Sequence, residues 1–183
     1  MTRQTDTFDD QLVATLRAGG VAVLRTDTLY GVVAKADIQA AVERVYTIKG
    51  RTPTKSPIVL IASSAAMFDR YPEDVLGAVG DLWPGTNSII FPSTAAPEWI
   101  TRGNASVAYR VPADATLRTL LAKTGPLIAP SANPEGSVPA MSAAEAEHYF
   151  GDAIDTYVDG GQVTDDTPSK LFRLTVNGLE RLR

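Results

Sequence analysis

Residues 37–62, DIQAAVERVYTIKGRTPTKSPIVLIA, decide the fold class. Asp37 is placed to cap a helix whose apolar stripe is Ile38, Ala41, Val42, Val45 and Ile48, spacings that line up on one helical face. That helix delivers Lys49 to its C-terminal end. A loop punctuated by Gly50, Pro53 and Pro57 follows, and then the continuous apolar run from Ile58 to Ala62. Such a run predicts a strand buried on both faces, near the middle of a sheet.

Working outward, Thr7 is expected to cap a first helix carrying Leu12, Val13 and Leu16, which Gly19-Gly20 ends. A strand is predicted over Val21 to Arg25, then a polar segment Thr26-Asp27-Thr28, then a second extended stretch from about Val32 to Ala36. Downstream the pattern predicts a helix over Glu73 to Leu82 and strands at Ser88 to Phe91 and Ser106 to Val111. Asp114 caps a helix through Lys123, stopped by Gly125-Pro126. A short strand at Leu127 to Ala129, a helix at Ser142 to Phe150, a strand at Thr156 to Val158 and a closing pair at Leu171 to Leu174 and Leu179 to Leu182 complete the chain. Interleaved strands and helices predict an α/β sheet with packed helices. With no internal repeat or long linker, residues 1–183 are read as one domain.

The chain is 44% hydrophobic and 21% charged, with no cysteine and one histidine. This composition excludes disulfides, Cys-zinc and iron-sulfur sites, thiol catalysis and a His-rich metal centre. No apolar run approaches membrane-spanning length, and the polar N-terminus does not resemble a signal peptide, so the expectation is a soluble cytoplasmic protein without a membrane partner. The net charge is −4, but acids are absent between Glu43 and Asp69, between Glu98 and Asp114, and between Asp114 and Glu135. Those stretches hold Arg44, Lys49, Arg51, Lys55, Arg102, Arg110, Arg118 and Lys123, whereas Glu135 to Asp166 holds eight acids and no Lys or Arg. The acid-free stretches make an anion site if they converge, and merely decorate separate solvated faces if they do not.

Four loops hold the polar residues of interest. Arg25-Thr-Asp-Thr-Leu-Tyr-Gly31 offers hydroxyls and a carboxylate, which also form ordinary turns. Lys49-Gly-Arg-Thr-Pro-Thr-Lys-Ser-Pro57 sets three cations in seven residues without a carboxylate, a pattern suited to phosphate; cations complementing a helix dipole would account for Lys49 but not Lys55. In Ala129-Pro-Ser-Ala-Asn-Pro-Glu-Gly136, Ser131 and Asn133 are two apart and point the same way if extended, although these residues also form turns. Thr167-Pro-Ser-Lys170 enters the closing strands. Neither a phosphate-loop nor a dinucleotide fingerprint is present, and no G-x-S-x-G elbow accompanies His148, which falls in an acidic helix. Trp83 and Trp99 read as packing residues.

Taken in order, these segments resemble the YrdC/TsaC family over nearly the whole chain. The resemblance rests on Thr26-Asp-Thr-Leu-Tyr-Gly31, Lys49-x-Arg51 with Lys55, Trp83-Pro-Gly85, Tyr109-Arg-Val-Pro112, Pro130-Ser-Ala-Asn133 with Gly136, and Pro168-Ser-Lys-Leu171. It implies a twisted, open mixed α/β sheet with helices around a concave basic cavity. It also implies a nucleotidyltransferase, an L-threonylcarbamoyladenylate synthase that makes threonylcarbamoyl-AMP and pyrophosphate from L-threonine, bicarbonate and ATP. Partner proteins then pass the threonylcarbamoyl group to tRNA, with a weak tRNA contact by the synthase itself. By the same resemblance Lys49, Arg51, Ser131 and Asn133 form the catalytic centre. Lys55, Ser88, Pro130 and Arg183 join them in ATP binding, and Thr28, Tyr30 and Arg110 bind threonine. Mg2+ arrives on the ATP phosphates, with no protein metal cage.

The chain departs from the family pattern where Arg25 replaces a proline, Gly85-Thr-Asn-Ser88 replaces a Pro-Gly-rich run, Pro139 stands where some members have serine, and Lys170 replaces a threonine. It ends at Arg183, about where the family has a Leu-Arg, so no extra domain is expected. Two other readings remain: a non-catalytic RNA-binding module using the same cavity, and a YciO-like relative, which would lack the Lys-x-Arg and Ser-Ala-Asn pairs.

Overall fold

A computed structural model describes residues 2–52, 60–63, 68–71 and 73–183. Its centre is a hairpin of β2 (Val21–Arg25) and β3 (Tyr30–Lys35), paired antiparallel with Val23 opposite Val32. Successive strand residues point to opposite faces, and here both faces are covered. Val21, Val23, Tyr30, Val32 and Ala34 enter one core, and Ala22, Leu24 and Val33 enter a second. The first core is closed by α2 (Gln39–Ile48) through Ala41, Val42 and Val45, and by α6 (Ala143–Phe150) through Ala143, Ala146 and Phe150. The second is closed by α1 (Asp10–Arg17) through Leu12, Val13 and Leu16, and by α5 (Ala115–Thr124) through Leu117, Leu120 and Leu121. The result is a sheet sandwiched between two helical layers.

The remaining strands are β1 (Arg3–Thr5), β4 (Leu60–Ile61), β5 (Asn87–Pro92), β6 (Ser106–Arg110), β7 (Leu127–Ile128), β8 (Thr156–Val158), β9 (Lys170–Thr175) and β10 (Gly178–Arg181). Among the described residues the sheet order is β1-β8-β2-β3-β7-β4-β6-β5-β9-β10. It is mixed: β4 runs parallel to β6 and antiparallel to β7. The apolar run 58–62 thus lies mid-sheet as expected, with Leu60–Ile61 as its paired part and residues 58–59 outside the described residues.

Several boundaries differ from the sequence reading. Asp9, not Thr7, caps α1, accepting the Leu12 amide at 2.9 Å, while the Thr7 amide bonds back to the Thr5 hydroxyl. Helix α2 has no side-chain cap: its N-cap is Ile38, and the Asp37 carboxylate is taken by the Lys35 ammonium two residues away. The predicted helix 73–82 is broken into α3 (Glu73–Gly77) and a 3-10 turn at Gly80–Leu82, because Gly77 and Gly80 weaken continuous helix. Strand β1 and the single-turn helix α4 (Glu98–Thr101) were absent from that reading, since neither is long enough to show a period. Asp114 caps α5 through the Leu117 amide and Ser142 caps α6 through the Glu145 amide, as the spacing requires. Among the described residues no helix is long and apolar enough to cross a membrane.

The relocated cap is measurable: Asp9→Ala should lower the midpoint of chemical denaturation, whereas Thr7→Ala should leave it at the parent's value.

Candidate active site

Six separated segments close on one cavity of about 350 Å³. The turn between β2 and β3 supplies Thr26 and Thr28, and β3 begins with Tyr30 and Gly31 on the lining; the chain after α2 supplies Arg51; β6 ends in Arg110; the chain after β7 supplies Ala129, Pro130, Ser131 and Pro139; and Pro168, Ser169 and Arg183 close the rim. Among the described residues, Arg51, Arg110 and Arg183 line this cavity and no Asp or Glu does. Two of the acid-free stretches therefore converge here, through Arg51 and Arg110, with Ser131 from the third.

Lys49 is not among the residues lining the cavity. It is the C-cap residue of α2, 3% exposed, with its ammonium donating to the carbonyl oxygens of Ser131 and Asn133, each at 2.5 Å. Burial, with the Arg51 charge adding to it, lowers its pKa to about 8, against an opposing pull from Glu135. Glu135 ties the same two loops together twice more: its amide donates to the Lys49 carbonyl at 2.8 Å, and its carboxylate accepts the Thr52 amide at 3.2 Å. Gly50 between Lys49 and Arg51 has φ +62°, a left-handed conformation that glycine adopts without strain. That reversal lets Lys49 turn inward while Arg51 faces the cavity.

Ser131 and Asn133 do meet, as their spacing implied: the Ser131 hydroxyl donates to Asn133 Oδ1 at 2.6 Å. The Asn133 amide nitrogen donates to the carbonyls of Pro134 and Ser137, both at 2.9 Å, so Asn133 stitches the loop while Ser131 faces the cavity. The loop is docked on β3 by Val32 donating to the Pro130 carbonyl and Ala132 donating to the Tyr30 carbonyl, at 2.9 and 2.8 Å. At Gly31 a Cβ would sit 3.3 Å from the Pro130 carbonyl oxygen, so a larger residue would push the two segments apart.

Arg110 is 4% exposed; its Nη1 donates to the Thr28 hydroxyl at 3.2 Å and its Nη2 to the Thr26 hydroxyl at 3.4 Å. Burial lowers its pKa and the nearby Asp27 carboxylate opposes that shift. The Tyr30 ring is fully buried, and its hydroxyl accepts from the Gly160 amide and donates to the Gly161 carbonyl, at 2.9 and 2.8 Å. Tyr30 thus secures the base of the 159–169 segment. Ser88, expected at ATP, is fully buried and shares a 3.0 Å hydroxyl contact with Ser169. Of this pair the residue that lines the cavity is Ser169, in the Thr167–Lys170 segment that the sequence singled out without giving Ser169 a role. Arg183 donates to the Ser169 carbonyl at 2.9 Å through Nη2 and so joins the rim.

Lys55 lies outside the described residues. His148 is exposed on α6, away from the cavity-lining residues. Both tryptophans pack: Trp83 donates to the Asn87 carbonyl beside Phe91, and Trp99 to the Ala36 carbonyl. Among the described residues no three His, Asp or Glu side chains cluster as a metal-ligand set.

Residues 14–183 match the Sua5/YciO/YrdC family, described as telomere recombination. A protein named Threonylcarbamoyl-AMP synthase from Stutzerimonas stutzeri (strain A1501) is 36% identical over 155 residues, covering 82% of this chain and 83% of that protein. One of the same name from Pseudomonas fluorescens (strain Pf0-1) is 31% identical over 176 residues, covering 93% and 95%. Among solved structures, P. abyssi Sua5 complexed with L-threonine superposes with a TM-score of 0.87 at 27% identity, covering all of this chain and 57% of that one. With the family match spanning nearly the whole sequence and the fold shared from end to end, the chain belongs to the Sua5/YciO/YrdC family.

Proposed function

We propose that this chain synthesises threonylcarbamoyl-AMP from L-threonine, bicarbonate and ATP with release of pyrophosphate, the first step of tRNA threonylcarbamoyladenosine modification. The observation that carries this reading is the cavity that gathers Arg51, Arg110 and Arg183 with Ser131 and, among the described residues, is lined by no carboxylate. The chemistry asks for such a site. A carbamate oxygen, formed on the threonine amine, bonds to the α-phosphorus while the bond to the pyrophosphate oxygen breaks, and the charge that builds needs fixed cations and donors more than a strong base.

In this scheme Arg51 and Arg183 receive phosphate oxygens as forked donors. Ser131 turns its single O–H from Asn133 Oδ1 to a phosphate oxygen beside them, and Pro130 bounds the nucleotide. Lys49 acts from behind the wall: an ammonium has three N–H groups, and two of them hold the carbonyls of Ser131 and Asn133. Lys49 and Asn133 thereby set the shape of the loop that meets the nucleotide. Ser88 acts through Ser169. Arg110 takes the threonine carboxylate with the Thr28 hydroxyl beside it, and Tyr30 fixes the segment opposite. Mg2+ enters on the ATP phosphates; a cavity wall of arginines and hydroxyls suits the phosphates and offers the ion no carboxylate. The product passes to tRNA threonylcarbamoyl-transfer proteins in the cytoplasm, with at most a weak tRNA contact by this chain.

Purified protein given threonine, bicarbonate and Mg-ATP should release pyrophosphate only when threonine is present; release without threonine, or none from folded protein, rejects the reading. Arg51→Ala should lower turnover at least about 10²-fold. Arg110→Ala should raise the threonine KM while leaving the ATP KM near its parent value. The Lys49 ammonium is charged below its pKa of about 8 and neutral above it. Affinity for a non-hydrolysable ATP analogue should therefore fall as pH rises through about 8, and Lys49→Arg, which stays charged, should shift that fall upward; a flat wild-type profile from neutral to alkaline pH removes Lys49 from this role.

A further inference from the structure

Residues 25–28 form a wall between three hollows. Arg110 faces the cavity of about 350 Å³, whereas Asp27 borders a hollow of about 750 Å³ and another of about 200 Å³ behind it. The Asp27 and Arg110 side chains meet through this wall, Oδ1 to Nη2 at 3.2 Å, each only 5% exposed.

The two ends of the Asp27 carboxylate do different things. Oδ2 accepts the Ala113 amide at 2.9 Å, which anchors the carboxylate to the chain leaving β6. Oδ1 is buried beside the guanidinium but receives no hydrogen bond. The contact is therefore one of charge. Arg110 spends its aligned N–H groups on the Thr28 and Thr26 hydroxyls, and its buried Nε has no partner. An isolated guanidinium this deeply buried is costly, and a carboxylate on the far side from the cavity offsets that cost without occupying the donors.

We propose that Asp27 is a positioning residue for amino-acid recognition: it holds the Arg110 guanidinium from behind by charge and leaves N–H donors to the substrate α-carboxylate. This rests on Arg110 being the threonine ligand in the function proposed above. A purely structural Asp27 would act only through its bond to Ala113, and Asp27→Asn separates the two roles, since the amide oxygen can still accept that bond while the charge is lost.

Asp27→Asn should raise the threonine KM at least about tenfold with the ATP KM within about twofold, the size expected when a buried charge loses its partner. Asp27→Glu should recover part of the loss. In an Arg110→Gln background, Asp27→Asn should change threonine affinity by less than about twofold, because the residue through which it acts is gone. An unchanged threonine KM in Asp27→Asn, or the same loss with and without Arg110, would overturn the proposal. If Asp27→Asn does not fold, the charge-free double variant compared with Arg110→Gln alone decides the matter by the same criterion. Calorimetric threonine binding separates this inference from the synthase reading. A wild type that binds threonine but releases no pyrophosphate loses the synthase activity and leaves the Asp27 comparison readable on Kd; a wild type that binds no threonine overturns both.

Discussion

A single buried ammonium organises the site. Lys49 gives up solvent at the end of α2 to hold the carbonyls of Ser131 and Asn133, and it does so with almost no exposure. Backbone carbonyls in a turn of prolines and small residues have no ladder to join, and a charged donor satisfies two of them at once. Remove that contact and the loop after β7 loses its anchor to α2, with Glu135 left as the remaining described tie across the same gap. Arg51 and Ser131 face one cavity because this joint holds their loops together.

The sheet makes the joint possible. The hairpin of β2 and β3 is covered on both faces, which fixes where its turn at 26–29 emerges, and Leu29 of that turn packs into the first core. β7 lies next to β3, which brings the 129–139 loop against that turn, and β6 follows on the same side beyond β4, carrying Arg110 at its end. Residues far apart in the chain thus reach one cavity by sheet order, with their charged groups already gathered there. Arg110 and Asp27 extend the same logic: a cation on the cavity side and an anion behind it keep the wall neutral while its donors face inward.

Much of this was readable in the residues. Strand β2, helix α5 with its Asp114 cap, helix α6, and the closing pair β9 and β10 fall where period and, for α5, the capping residue place them. The misses have local causes. Asp37 was a sound cap by residue type, but Lys35 lay within reach and a full charge outcompetes a backbone amide. Strand β1 has three residues, and its pairing with β8 spans the length of the chain, so nothing local announces it.

By itself, the sequence determined the alternation of strands and helices, the loops that carry Lys49, Arg51, Ser131 and Asn133, and the acid-free stretches that end at Glu135, because periodicity, turn chemistry and charge spacing are properties of neighbouring residues. Only the tertiary structure decided which way those groups face: Lys49 inward onto carbonyls, Arg51 outward, Ser88 behind Ser169, Tyr30 onto the 159–161 turn, Asp27 behind Arg110. The physical reason is that a polar side chain settles on whatever partner burial leaves it, and those partners come from segments a hundred residues away that the sheet brings within hydrogen-bonding reach.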